Sequence, residues 1–193
     1  MSMTIHQVVN TIFRSCSYVL SQEHCSWVVD CGDVDKLLPF IDGKLSGILL
    51  THAHFDHIYG LNTLTSLFPK VPIYTNQAGL ESLTNDKLNF SRYYGEPFIF
   101  DNPQLVQLID DGKYIDLFEE TRVKAVFTPG HSNDSITWVV NDVLFTGDSY
   151  IPGVKTVTNL PHSDKILASQ SEIIIKQLAE NRTVYPGHAP EQI

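Results

Sequence analysis

Residues 48–60 read Ile48-Leu49-Leu50-Thr51-His52-Ala53-His54-Phe55-Asp56-His57-Ile58-Tyr59-Gly60. A short apolar run ends directly in three histidines and an aspartate, all within positions 52–57. The run reads as a buried strand, and the cluster behind it delivers several metal-ligand side chains to one point outside a sheet. His52 and His54 are two residues apart, so an extended or tightly turned backbone faces them the same way. Asp56 and His57 follow closely enough to reach a second cation. Crowded imidazoles repel one another once protonated, which makes a metal ion their natural partner.

Outward from this stretch the same arrangement recurs. Upstream, short strands are expected around Val8-Val9 with Ile12-Phe13, over Ser17–Leu20, and over Ser26–Val29, the last ending at Asp30-Cys31-Gly32. A short helix is predicted over Val34–Phe40 and a turn at Asp42-Gly43. Downstream, apolar residues at 58, 61, 64, 67 and 68 have helical spacing that stops at Pro69. A brief strand at Pro72–Tyr74 and a helix over Ala78–Leu83 follow. Strands over Leu105–Ile109, Tyr114–Leu117 and Val123–Phe127 lead to Thr128-Pro129-Gly130-His131. Ser135–Val140 and Val143–Phe145 lead to Thr146-Gly147-Asp148. An amphipathic helix is predicted over Lys165–Leu178, N-capped by Ser163 or Asp164, and a last strand at Thr183–Tyr185 delivers Pro186-Gly187-His188. Four strands thus end in turns carrying His or Asp. Two sheets with helices outside, and ligands gathered along one edge, account for that pattern.

Composition narrows the class. The 193 residues are expected to form one domain, 1–193, and 42% hydrophobic against 18% charged residues is the balance of a packed globular chain. No apolar stretch approaches the roughly 18 residues needed to span a bilayer, and the N-terminus lacks the pattern of a signal peptide. Three clustered cysteines, Cys16, Cys25 and Cys31, suit reduced thiols in cytoplasm better than a disulfide framework, although Cys16 and Cys25 could face each other across a hairpin. A formal charge of −9 with scattered Lys and Arg argues against nucleic acid. The expected partner is a small-molecule substrate; oligomeric state is unreadable.

Taken in order, HxHxDH at 52–57, PGH at 129–131, TGD at 146–148 and PGH at 186–188 resemble the metallo-β-lactamase superfamily, most closely its small glyoxalase II-like hydrolases. The resemblance runs over nearly the whole chain. It implies a mixed α/β fold, an αββα sandwich of two mixed sheets with outer helices. By motif position, His52, His54 and His131 would hold one metal, Asp56, His57 and His188 a second, and Asp148 would bridge them. The expected cofactors are two divalent ions, zinc first, with iron or manganese open. The implied activity is hydrolysis of a small thioester, ester or lactone by a shared hydroxide that Asp56 orients. Asp30 and Thr51 are candidates for steadying the histidines from behind.

The chain also departs from its relatives. It stops five residues after His188, so the C-terminal helical extension with which glyoxalase II enzymes bind the glutathione thioester is expected to be absent. GHSNDS stands where GHTxGS is common, and Thr158-Asn159-Leu160-Pro161 replaces a frequent Gly-Arg-Thr-Asp stretch. Tyr150 is a candidate catalytic or pocket residue, Lys155 a candidate for a substrate carboxylate, and Tyr94 a candidate substrate contact within the aromatic segment Leu88–Pro103. That segment reads equally well as a loop pinned on the core. A mononuclear iron persulfide dioxygenase, a phosphodiesterase and a non-enzymatic metal-holding domain are the alternatives.

Overall fold

The computed structural model describes residues 3–95 and 97–189. Its first sheet runs in the order β1 (Thr4–Val9), β2 (Cys16–Gln22), β3 (Cys25–Val29), β4 (Lys44–Leu49), β5 (Ile73–Thr75) and β6 (Val106–Leu108). The first two pairings are antiparallel and the last three parallel. The second sheet has the order β11 (Thr183–Pro186), β10 (Val143–Gly147), β9 (Ile136–Val140), β8 (Thr121–Phe127) and β7 (Tyr114–Phe118). Here only β10 and β11 are parallel. Both sheets are therefore mixed, as expected.

Side-chain alternation along the central strands builds two cores. Tyr18, Leu20, Trp27, Val29 and Leu49 point between the sheets, where they meet Val123, Ile136, Trp138 and Phe145. Val19, Val28, Ile48 and Leu50 point the other way, onto Leu37, Ile58, Leu61, Leu64 and Leu83. These come from or flank α1 (Val34–Leu37), α2 (Phe55–Ile58), α3 (Leu61–Leu67) and α4 (Gln77–Leu83). α5 (Lys165–Ala179) turns Ala168, Ser171 and Ile175 inward and packs by β10. Two buried indoles tie the layers by hydrogen bonds: Trp27 Nε1 donates to the Leu117 carbonyl at 2.8 Å and Trp138 Nε1 to that of Leu50 at 2.9 Å. Each couples a large apolar burial to a satisfied polar handle.

Local departures from the sequence expectations have identifiable causes. Ile12-Phe13 does not extend the first strand; β1 ends at Val9, and Phe13 and Arg14 take left-handed φ of 50° and 56° in a loop. The predicted helix from Ile58 is broken after that residue, which ends α2, and resumes as α3; between them Gly60 gives its N–H to the Cys31 carbonyl at 2.9 Å, where a side chain would strike the Gly32 carbonyl. Asp164 is the cap of α5, accepting from the Ile166 and Leu167 N–H groups, while Ser163 donates to the His131 carbonyl. Cys16 and Cys25 cannot pair across the hairpin: one sits opposite Val9, the other opposite Gln22, at opposite ends of β2. All three cysteines are free. Among the described residues, no helix is long and apolar enough to cross a membrane.

Candidate metal centre

Five strands, β3, β4, β8, β10 and β11, end at one edge of the sandwich, and their following turns carry the polar cluster. β4 runs into His52 and His54, and His54 is the residue at which α2 begins. The first turn of α2 supplies Asp56 and His57. β8 leads to His131, β10 to Asp148 and β11 to His188. Two glycines make this convergence sterically feasible. Gly130, at φ +133°, passes the α5 backbone so closely that a Cβ would lie 2.1 Å from the Ala168 nitrogen. A Cβ on Gly187 would lie 2.0 Å from Asp148 Oδ1.

All seven residues named from the motifs come together. The ligand-capable atoms of His52, His54 and His131 lie within 4.8 Å of one another, as do those of Asp56, His57 and His188. Asp148 forms a third such group with His52 and His57. Its Oδ2 is 3.2 Å from His188 Nε2 and 3.6 Å from His131 Nε2, so it reaches toward both triads.

The opposite nitrogens of four rings are held from behind. His57 Nδ1 meets Asp30 Oδ2 at 3.0 Å, and His52 Nδ1 meets Thr51 Oγ1 at 3.1 Å. Thr51 in turn gives Asp30 both its N–H, at 2.7 Å, and its hydroxyl, at 2.6 Å. His131 Nδ1 and His188 Nδ1 pair with the Val157 and Phe13 carbonyls at 3.0 and 2.9 Å. Such contacts fix ring orientation and leave Nε2 of each ring facing inward. The Asp30 and Thr51 expectation thus has the required geometry, whereas the carbonyl contacts of Val157 and Phe13 escaped the sequence, since main-chain acceptors leave no mark in it. Asp134 was missed as well. Fully buried, it accepts the Ala53 N–H at 2.8 Å and the Ser132 hydroxyl.

The donor set suits cations. His52 Nε2 and Asp148 Oδ1 are buried without a hydrogen-bond partner among the described residues, and a buried polar atom left so is costly unless something binds it. His54 Nδ1 and His131 Nε2 stand 3.0 Å apart, as do two lone pairs aimed at a common ion. The electrostatics divide the cluster. Burial, with His57 and His54 nearby, pushes His52 well below the usual histidine range; burial and His131 push His54 down to about 3. Burial also opposes charge on His57 and His188, but Asp56, Asp148 and, for His57, Asp30 outweigh it, holding His57 well up and His188 at about 10. Burial alone would raise Asp148; His57 and His188 reverse this and hold it well below the usual range.

A cavity of about 410 Å³ opens over the cluster, with His54, Asp56, His131, Asp148 and His188 in its floor. Phe55, Phe90 and Tyr94 form one wall, Val157 and Leu160 another. The aromatic segment therefore faces this cavity through Phe90, Tyr93 and Tyr94. Tyr150 and Lys155 are not among its lining residues. The Tyr150 ring turns instead toward α5, 5.9 Å from Lys176 Nζ. Lys155 is exposed, just beyond the tight turn that pairs Ile151 with Val154. Of the residues named from sequence in this segment, neither Tyr150 nor Lys155 lines the cavity, whereas Val157 and Leu160 do.

The family model of the metallo-beta-lactamase superfamily matches residues 16–188. A hydroxyacylglutathione hydrolase of Aliivibrio fischeri (strain MJ11) is 34% identical over 132 residues, 67% of this chain and 43% of the relative. The chain thus spans less than half the length of that relative. A probable metallo-hydrolase, YqgX, of Bacillus subtilis (strain 168) is 29% identical over 191 residues, 95% of this chain and 88% of the relative. The crystal structure of the BLEG-1 B3 metallo-beta-lactamase superposes with a TM-score of 0.85 at 28% identity, covering 97% of this chain and 92% of its own.

Proposed function

The chain belongs to the metallo-beta-lactamase superfamily, and from that premise we propose that it is a dinuclear metal-dependent hydrolase of a small thioester, ester or lactone. The observation that carries the reading is the pair of three-residue groups with Asp148 between them, His52 Nε2 and Asp148 Oδ1 being buried with no hydrogen-bond partner among the described residues. In this reading His52, His54 and His131 hold one cation, Asp56, His57 and His188 the other, and Asp148 both. Imidazole and carboxylate donors admit zinc, iron or manganese, with zinc favoured. Divalent cations bound there would supply Lewis acidity and a water acidified toward neutral pH.

The protein's own groups have distinct tasks. Asp56 lies at the cavity floor, where its carboxylate accepts a hydrogen bond from the attacking water and aims it at the carbonyl carbon. Asp30, through Thr51 and His57, keeps two imidazoles in the tautomer and orientation that ligation needs. The aromatic wall excludes bulk water from the reacting carbonyl.

The test is metal analysis joined to a substrate panel. Zinc-loaded protein should carry about two ions per chain and turn over carboxylic thioesters, esters or lactones, and His54→Ala should lose both an ion and the activity. Oxygen uptake with glutathione persulfide at a single iron, or turnover of phosphodiesters without carboxylic esters, would overturn the proposal.

A further inference from the structure

The cavity wall points to the substrate class, an inference that rests on the hydrolase reading above. We infer that the substrate carries an uncharged, ring-sized apolar group beside its scissile bond, and that the peptide-like, charged tail of a glutathione conjugate is not what this site recognises. Four rings, Phe13, Phe55, Phe90 and Tyr94, line the cavity between the metal cluster and the mouth. Phe55 stacks on Tyr94 with centroids 5.9 Å apart and planes 20° apart, and Tyr94 meets the edge of Phe13 at 5.1 Å. Phe90 closes the inner end, 4.8 Å from the His54 imidazole.

These rings are held in place at a cost. Phe13 is 55% exposed, Tyr94 50% and Tyr93 70%, so a cluster of aromatic surface faces water around one opening. Phe90 has a left-handed φ of 64°, strained for a bulky residue, and the Asn89 side chain enforces it by bonding the Ser82 and Phe98 carbonyls and the Ser91 N–H. The wall is also built into the metal cluster: the Phe13 carbonyl holds His188, and the Val157 carbonyl on the facing side holds His131. A group seated between the walls therefore touches the residues that position two of the histidines.

Among the described residues lining the cavity there is no lysine or arginine, and Arg92, two positions from Phe90 and next to Tyr93, is committed to Asp86 at 2.8 Å. A pocket of about 410 Å³ accommodates a phenyl group together with a thioester or ester linkage. Small apolar differences in such a pocket discriminate by roughly 10–200-fold.

The experiment compares four thioesters on zinc-loaded protein: S-acetyl-N-acetylcysteamine, its phenylacetyl counterpart, S-benzyl thioacetate and a hydroxyacylglutathione. At least one ring-bearing compound should exceed the acetyl parent in kcat/KM by about 20-fold and exceed the glutathione conjugate, and Tyr94→Ala should shrink the ring-to-acetyl ratio about tenfold. A ratio near one, or the glutathione conjugate as best substrate, would overturn the inference while leaving the hydrolase reading intact. Binding is read separately by calorimetry with two non-hydrolysable thioethers of N-acetylcysteamine, S-phenethyl and S-ethyl. The phenethyl compound should bind about tenfold or more tightly, with the difference reduced in Tyr94→Ala. Equal binding overturns the inference even if none of the four thioesters is cleaved; unequal binding without cleavage of any thioester, ester or lactone sinks only the hydrolase reading.

Discussion

Asp134 reaches across the sandwich to Ala53, its Oδ2 accepting the backbone N–H that lies between His52 and His54 at 2.8 Å. The same carboxylate takes the hydroxyl of Ser132, next to His131. One buried side chain therefore ties together the two loops that supply the first three histidines. Its replacement by alanine leaves the Ala53 N–H buried and unpaired, at a cost of about 1–3 kcal/mol. Asp134→Ala should lower unfolding free energy by that amount in urea denaturation and weaken the first metal. Asp134→Asn, which keeps an acceptor for Ala53 and can donate to Ser132, should restore most of both; failure of the asparagine to do so would show that the negative charge itself is needed.

Asp30 has a comparable place behind the second group. It accepts the Thr51 N–H, the Thr51 hydroxyl and His57 Nδ1 from a fully buried position, with its own backbone at a φ of 54°. Asp30→Asn preserves size but offers His57 a weaker partner, so affinity for the second metal should fall about 10–100-fold. Competition with a chromophoric chelator measures this directly, and an unchanged second affinity would remove Asp30 from the role assigned to it.

Gly187 tests how tightly the edge is packed. A methyl group there would stand 2.0 Å from Asp148 Oδ1 and 2.7 Å from the Gly147 carbonyl carbon, and the second of these is backbone with little room to yield. Gly187→Ala should therefore destabilise the fold by about 1–3 kcal/mol and displace Asp148 from its place between the two groups. Metal stoichiometry by elemental analysis should drop; a variant with full metal content and stability would contradict the packing described.

What the sequence made legible was the set of strand ends. Each apolar run from Ile48 to Tyr185 stops at a turn whose residues are short or polar, and HxHxDH, PGH, TGD and PGH place ligand-capable side chains at those turns whatever the details of packing. The seven residues were named from the family resemblance that these motifs carry in that order, before their separations were known. Orientation was not legible. Tyr150 follows Asp148 by two residues, yet it does not line the cavity, and its ring lies 5.9 Å from the Lys176 ammonium on α5. Asp134 lies 81 residues from Ala53, and nothing local in GHSNDS says which backbone amide it will meet. The Phe13 and Val157 carbonyls belong to the main chain, which every residue has, so their role emerges only from the folded loops.

Metal uptake should depend on pH in a way that separates the two groups. Burial disfavours charge on His57 and His188, but the neighbouring Asp56 and Asp148 outweigh it, raising both imidazoles, His188 to about 10. Ligation requires the neutral ring, so loading this group releases protons and its affinity should rise with pH from about 6 to 9. Burial has already left His52 and His54 neutral, His54 at about 3, so these two rings should release no protons on loading over that range. Calorimetric zinc titrations in buffers of different ionisation enthalpy count the protons released at each step, and equal release at both steps would contradict this division.

Away from the metals, Asp33 gives the metal-free fold a separate acid-sensitive contribution. Its Oδ2 accepts the Thr11 N–H at 2.9 Å, the Thr11 hydroxyl at 2.6 Å and the Lys36 ammonium at 2.7 Å, and its Oδ1 accepts the Tyr59 hydroxyl. Partial burial pushes this carboxyl up, but Lys36, Thr11 and Tyr59 outweigh it and hold it well below the usual range. A carboxyl depressed in the folded state stabilises that state above its unfolded pKa, about 3.9. The contribution is lost as pH falls through the lower, folded value. Asp33→Asn should accordingly cost about 1–3 kcal/mol at pH 7, and the gap from the native protein should narrow steadily below about pH 4. Urea unfolding of both metal-free proteins at a series of pH values measures the gap, and a difference that stays constant into acid would mean that hydrogen-bond geometry, not the carboxylate charge, secures the Thr11 loop against Tyr59.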